Sequence, residues 1–398
     1  MTCANIAVYG GKINGYKRFA MNDILSQRIY GAFFTFFVVY SVAFAPVRPA
    51  LAITDVFEVR NVVVDVTDES ASSARKKALT LASSIAFQRL LERLTLIEDR
   101  ERLPQLDQDE ISSFVNSFDV ADEKTASKRY LAKLSYKFKR TDVRNLLKDF
   151  NLQFAETLSK PVLVLPVYQA AGTIALWDDP NPWRVAWAGA AEFVGMVPLV
   201  RPAWNLADVG LIGPEQAIQG DRQRLQAIAD HYDTGSVIVA YAKLRLDAAV
   251  ARQRLEVFVT RYGNDPEQIS DELAYHQNEG EQMPAFLGRA AVAVGEHIEN
   301  TWKHENLLKL NRMNIAAVAV PITGIQDWLL IQERLKVVAL IRKSDLVLLS
   351  LDEARINVHY VGEPEQLRVA LGQADLTMIQ EEGEWVIYLS DIIKPGKF

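Results

Sequence analysis

From Asp55 onward the chain alternates between short apolar runs and amphipathic stretches, and the period of each run predicts an element. DVFEVRNVVVDV (Asp55 to Val66) is rich in β-branched residues and predicts a strand. Asp68, Ser70, Ser72 and Ser73 then crowd the start of a helix predicted over Ala74 to Leu94. Ala78, Leu81, Ala82 and Ile85 form one stripe of that helix, and Leu79, Phe87, Leu90 and Leu94 a second. It is therefore expected to pack on two sides, with its alanines lying close to a sheet. Asp109 to Phe118 predicts a shorter amphipathic helix, and RYLAKLSYKF (Arg129 to Phe138) alternates like a half-buried strand. Thr141 is expected to cap a helix that reaches Phe150.

The densest aromatic region follows, from Pro161 to Trp204, with four of the seven tryptophans. VLVLPVY and MVPLV are continuous apolar runs, the pattern of strands buried on both faces. Between them lies a loop with Trp177, Asp178, Asp179 and Pro180, and Asn181-Pro182 suits a helix start. Asp221 is expected to cap a further helix, with a strand over Val237 to Leu246 and its hairpin partner over Leu255 to Arg261. Gly263 to Gln282 is polar and acidic and reads as an exposed loop with a short helix, and Pro284 to Leu310 as a long helix. From Asn314 the order becomes βαββαβ, the pattern of a ferredoxin-like module.

These elements predict an α/β and α+β fold of multi-domain mixed sheets with packed helices and a C-terminal ferredoxin-like module. The expected boundaries are 53–159 for an α+β domain, 160–313 for an α/β domain and 314–398 for the ferredoxin-like domain. Residues 1–52 read as an export signal. Lys12, Lys17, Arg18 and Arg28 precede the uncharged run GAFFTFFVVYSVAFA (Gly31 to Ala45), and Ala50-Leu51-Ala52 fits cleavage between small residues. Fifteen apolar residues are short for a span, which needs about 20. No membrane span is therefore expected after cleavage, an uncleaved inner-membrane anchor being the alternative. Met21 also suits a start, since MNDILSQRIYGAFF opens as signal peptides do.

Composition sharpens the compartment. The formal net charge is −6, and residues 1–52 carry five Lys/Arg against one Asp, so the remainder stands near −10. An acidic chain without a basic cluster speaks against nucleic acid as a partner. The one cysteine, Cys3, lies in the signal, so the mature chain would have no thiol. Exported, acidic, unlipidated and cysteine-free describes a periplasmic protein.

Asp233-Thr234-Gly235-Ser236 matches the signature of aspartic proteases, but such a site needs a second carboxylate sharing one proton, and no second copy occurs. Here the motif sits between a helix and a strand, so a turn in which Gly235 supplies the backbone freedom is expected. The five histidines show no close ligand spacing; His297 and His304, seven apart on a helix, would be about 10 Å apart. No catalytic residue, metal site or cofactor is expected. The remaining candidate is the central loop, where Trp177, Asp178, Asp179, Trp183 and Arg184 could present rings and polar edges to a glycan or peptide. Trp183 and Trp187, at i and i+4, could instead form the core face of the helix, and Trp187 is expected in the core in either case.

Three stretches carry a resemblance: VVVDVTDESASSARKKALTLASSIAFQRLLERL, VLVLPV with LWDDPNPWRVAW, and ADHYDTGSVIVAY. On these the chain resembles an exported proteobacterial family, domain-of-unknown-function family 2066, over most of residues 53 to 310. The middle domain is also similar in pattern to the amino-terminal α/β domain of the Tol–Pal system's periplasmic protein. The curli secretion lipoprotein shares that pattern, but this chain lacks a lipidated cysteine. The resemblance implies a non-enzymatic binding or scaffold protein of the cell envelope, its partner an envelope protein or glycan. The alternative is a hydrolase or glycan-binding protein acting on an envelope polymer.

Overall fold

In the computed structural model the described residues are 55–189, 195–247, 252–263, 269–308, 313–381 and 383–390. The expected export signal lies outside them. Strand β1 (Glu58–Thr67) leads into helix α1 (Ala71–Leu94), capped by Ser70, whose hydroxyl accepts the Ser73 N–H at 3.2 Å. Ala74, Ala78, Ala82 and Ala86, at helical spacing with Leu90 and Leu94, are buried to the last atom, and the helix packs on β1 and β3. Leu81, expected in a buried stripe, is instead 48% exposed, because the alanine row set the packing face one residue round. Helix α2 (Gln108–Phe114) ends earlier than its apolar spacing suggested. The chain then forms β2 (Val115–Thr125), pairing with β3 (Arg129–Phe138) in a sheet of order β1-β3-β2, and helix α3 (Arg140–Asp149) follows. Most of β2 is exposed, so no apolar alternation marks it in sequence.

The second sheet opens with β4 (Val162–Leu165), every residue of which is buried. Val162 and Val164 face one apolar cluster, and Leu163 and Leu165 face another, which explains the unbroken run VLVL. The hairpin β5 (Tyr168–Ala170) and β6 (Thr173–Ala175) leads to helix α4 (Pro182–Gly189) and the two-residue β7 (Leu199–Val200). Three helices follow, α5 (Leu206–Leu211), α6 (Pro214–Gln219) and α7 (Arg222–His231), the last capped by the Asp221 carboxylate as expected. Strands β8 (Ser236–Asp247), β9 (Arg252–Tyr262) and β10 (Ile269–His276) complete the order β10-β9-β8-β4-β7. β4 runs parallel to β7 and β8, whereas β8, β9 and β10 form an antiparallel meander. β10 corrects the expectation of a loop there: it is an edge strand whose Asp271 and Glu272 conceal the period.

Helix α8 (Met283–Glu305) braces the first two sheets. Its Trp302 indole donates to the Thr157 carbonyl at 2.7 Å, and buried Lys303 donates to the carbonyls of Glu92 and Thr95 at the end of α1. The buried Lys303 ammonium has a pKa below the ordinary lysine value because burial disfavours its charge.

The third sheet comprises β11 (Met313–Pro321), β12 (Ile341–Leu349), β13 (Glu353–Val361), β14 (Leu376–Glu381) and β15 (Glu384–Leu389). Helix α9 (Ile325–Val337) follows β11 and α10 (Pro364–Gln373) follows β13, so that through β14 the element order is the expected βαββαβ. The chain then adds one strand beyond that pattern. It turns at Gly383, in the left-handed region at φ 91°, and β15 enters the sheet parallel to β11, giving the order β12-β13-β11-β15-β14. Both helices belong to one core cluster with Val318, Val320, Ile356 and Val358, on one face of the sheet. The protein is thus a multi-domain α/β and α+β fold with mixed sheets and packed helices. Among the described residues no helix is long and apolar enough to cross a membrane.

Candidate functional site

The central loop is held from below by Asn181, which is completely buried. Its amide donates to the Leu176 carbonyl at 3.1 Å, and its oxygen accepts the Arg184 N–H at 3.0 Å, capping α4. Trp183 and Trp187 then point inward and meet edge to face at 5.9 Å, the former with no exposed surface. Trp183 is therefore removed from the expected recognition surface. Its place at i to i+4 from Trp187 makes it part of the face that α4 buries, and its indole N–H is consumed by the Ala240 carbonyl at 3.0 Å. Of the other four candidates, Arg184 joins Trp177 and Asp179, and Asp178 lies between those two in the chain. Trp177 is half-buried, donates to the Ile212 carbonyl at 2.6 Å and tilts against Trp204 at 5.4 Å. The Arg184 guanidinium lies over the Trp204 ring, bonds the Trp177 carbonyl and pairs with Asp179 at 3.1 Å. Asp178 and Asp179 are exposed, as their hydration cost requires. The result is a preset but largely self-satisfied loop.

The Asp233 turn is structural in its geometry. Asp233 itself takes the left-handed conformation, φ 52°, just past α7, and its side chain is exposed. This corrects the expectation for Gly235, which is needed for closeness instead: a Cβ there would lie 2.9 Å from the Lys160 side chain. Beside the turn, Tyr232 donates to the buried Asp208 carboxylate at 2.7 Å and accepts the Ala203 N–H at 2.7 Å. Burial, with the bond to Asp208, pushes the Tyr232 phenol up to about 12. His297 and His304 have separate acidic neighbours, Asp271 at 2.8 Å and Glu98 at 3.6 Å. Among the described residues no three His, Cys, Asp or Glu side chains converge as a metal site.

An open groove lies on the third sheet, on the side away from α9 and α10. Along β11 the buried Ala316, Val318 and Val320 alternate with Ile315, Ala317 and Ala319, which point outward. Along β13 the same alternation turns Arg355, Asn357 and His359 outward. The small alanines make a floor, and taller neighbours on β12, β13 and β15 wall a groove of about 720 Å³. Ile315 and Val347 supply apolar contact there, while Asn357, Arg355 and Glu384 supply donors and acceptors. Arg355 pairs with Glu353 and, at 3.6 Å, with Glu384; these bonds hold its pKa above the ordinary arginine value. Asp345, 3.0 Å from His359 Nε2, is held below the usual carboxylate range by Lys343 and then by His359.

This surface continues into an apolar edge. Seven of the exposed large apolar side chains among the described residues lie on β11, on β12 and in the turn after it. They include four consecutive residues of β12, Leu346, Val347, Leu348 and Leu349, and then Leu351 at 93% exposure. Such a concentration is unusual for a protein surface that meets only water.

Compared with known proteins, the chain matches no family model, no curated protein and no solved structure.

None of Ile315, Ala317, Arg355 or Asn357 was among the residues expected at a site. Their signal was present as the outward half of two alternating strands, MNIAAVAVP and EARINVHYV. Alternation alone assigns that half to water. The apolar tail of its hairpin partner, DLVLLSL, was the clue that this side of the module is not simply a solvated face.

Proposed function

We propose that this chain is a non-enzymatic binding or scaffold protein of the cell envelope, exported to the periplasm by a cleaved signal. It holds an extended segment of a partner protein on the open face of its C-terminal sheet. The reading is consistent with membership in family 2066, proposed on the residues quoted above. The observation that carries it is the groove along β11. Six consecutive residues, Asn314 to Ala319, line it. At about 3.3 Å per residue that is roughly 20 Å, the reach of an extended peptide rather than a compact metabolite. Its mixture of apolar walls and a few fixed polar groups is the usual make-up of a recognition site. An alanine floor leaves room for a guest's side chains, and a stiff sheet loses little entropy when it binds.

A second reading, glycan binding at the central loop, draws on the half-exposed pair Trp177 and Trp204 beside Asp178. The two are separated by purifying the chain from envelope fractions as wild type, as Ala317→Arg and as Trp177→Ala, and identifying the proteins that accompany each. Loss of one reproducible partner from Ala317→Arg alone, with unchanged circular dichroism, supports the groove. Retention of every partner by that variant overturns it.

A further inference from the structure

We propose that β12 is the interface of a two-fold dimer, in which the edge strand pairs antiparallel with the same strand of a second copy. The inference does not require the binding role proposed above.

Sheet edges are templates for pairing, and stable monomers blunt them with charge, bulges or shortness. The other edges of the three main strand orders among the described residues follow that rule. β2 exposes Asp119, Asp122, Glu123 and Lys124, β10 exposes Glu272, β14 ends in Gln380 and Glu381, and β7 is two residues long. β1 exposes Val63 between the polar residues Asn61 and Asp65. β12 is the exception, with Leu346 to Leu349 all exposed on a free edge.

What selects a second copy as the occupant is the order of charge along this edge. β12 carries Lys343 near its start, then Asp345 and an apolar centre from Leu346 to Leu349, and the acidic turn residue Asp352 lies just beyond its end. Two such strands laid antiparallel about the apolar centre bring Lys343 of each copy near Asp352 of the other, with the leucines facing one another between them. A parallel arrangement would put like charges together. An antiparallel two-fold also closes on itself, so it stops at two. Lys343 now pairs with Asp345 at 2.7 Å; the ammonium is largely in water and Asp345 keeps His359 as a second neighbour, so Lys343 can change partner at little cost. A bulge between Leu346 and Leu348 twists the edge, so the leucines carry more of the contact than the backbone ladder does. Pairing would also set the open faces of the two sheets side by side, making one continuous surface of ten strands.

Sedimentation equilibrium of the exported chain purified from cells tests this. The expected result is a reversible monomer–dimer equilibrium. Leu348→Glu should weaken it by about tenfold or more, since a central apolar contact is replaced by a charge in both copies. Lys343→Glu should weaken it less, and adding Asp352→Lys to that variant should restore it. Phe118→Glu, on the exposed face of β2, should leave it unchanged. Circular dichroism establishes that each variant is folded. A chain that stays monomeric at about 0.1 mM, where even weak specific contacts are populated, overturns the proposal. So does a dimer indifferent to Leu348→Glu, a charge pair that the double exchange does not restore, or growth into assemblies larger than two.

Discussion

The indole N–H of Trp183 donates to the carbonyl of Ala240, 3.0 Å away in the middle of β8. One side chain thus joins the first turn of α4 to the centre of the second sheet. Trp183→Ala should cost about 3–5 kcal/mol in urea unfolding, through the cavity and the unpaired carbonyl together. Trp177→Ala should cost clearly less, because that ring is half in water. Equal losses in the two variants would contradict this division between core and surface.

Glu299 on α8 accepts two backbone N–H groups, from Met196 at 2.7 Å and Val197 at 3.0 Å. Glu299→Ala would leave both donors without that partner in a part-buried place. A loss of about 2–4 kcal/mol is expected. Glu299→Gln, which keeps one acceptor oxygen, should recover part of it. A Gln variant as unstable as the Ala variant would show that the side chain acts in another way.

Asp233 occupies a left-handed position, so replacements should sort by backbone preference. Asp233→Gly and Asp233→Asn should change stability by less than about 0.5 kcal/mol, whereas Asp233→Val should cost about 1–2 kcal/mol. Any partner binding should persist in the Asn variant. Loss of a hydrolytic activity in a folded Asp233→Asn protein would restore a catalytic reading of the motif.

Asp55 predicts an acid-sensitive clamp at the start of the described chain. Burial raises its pKa, but hydrogen bonds from Arg140, the Phe57 N–H and Lys137 outweigh this and leave it below the ordinary value. A carboxyl depressed in the folded state stabilises above its unfolded pKa, near 3.9, and that contribution fades as pH falls through the lower folded value. Unfolding free energy should therefore fall between about pH 5 and pH 2, and less steeply in Asp55→Asn. Parallel pH profiles for the two proteins would contradict the clamp.

Most of the fold was legible wherever burial was one-sided or complete. VLVL is buried on both faces, RYLAKLSYKF on one, and both announce themselves. β2 and β10 were not legible, since β2 faces water and has no apolar period, while in β10 Asp271 interrupts the row in which Leu273 and Tyr275 pack on the core. Likewise the spacing of the tryptophans of α4 suits either a buried helix face or a ring offered to a guest. Spacing placed Trp187 inside, but the same spacing applied to Trp183, and only the position of β8 shows how deep that ring lies. The open face on β11 depends on which strands end up at its sides, and strand order is set by long-range packing that no local pattern encodes.

The central claim is that the open face of the third sheet, and not the Trp177 loop, meets the partner. The most direct measurement places a photo-crosslinking residue in cells at Ala317, at Asp178 and at Val63, and identifies the adducts. One envelope protein should be joined reproducibly from Ala317, with none joined from Asp178 or Val63. Adducts from Asp178 with none from Ala317 would contradict it and return the site to the loop.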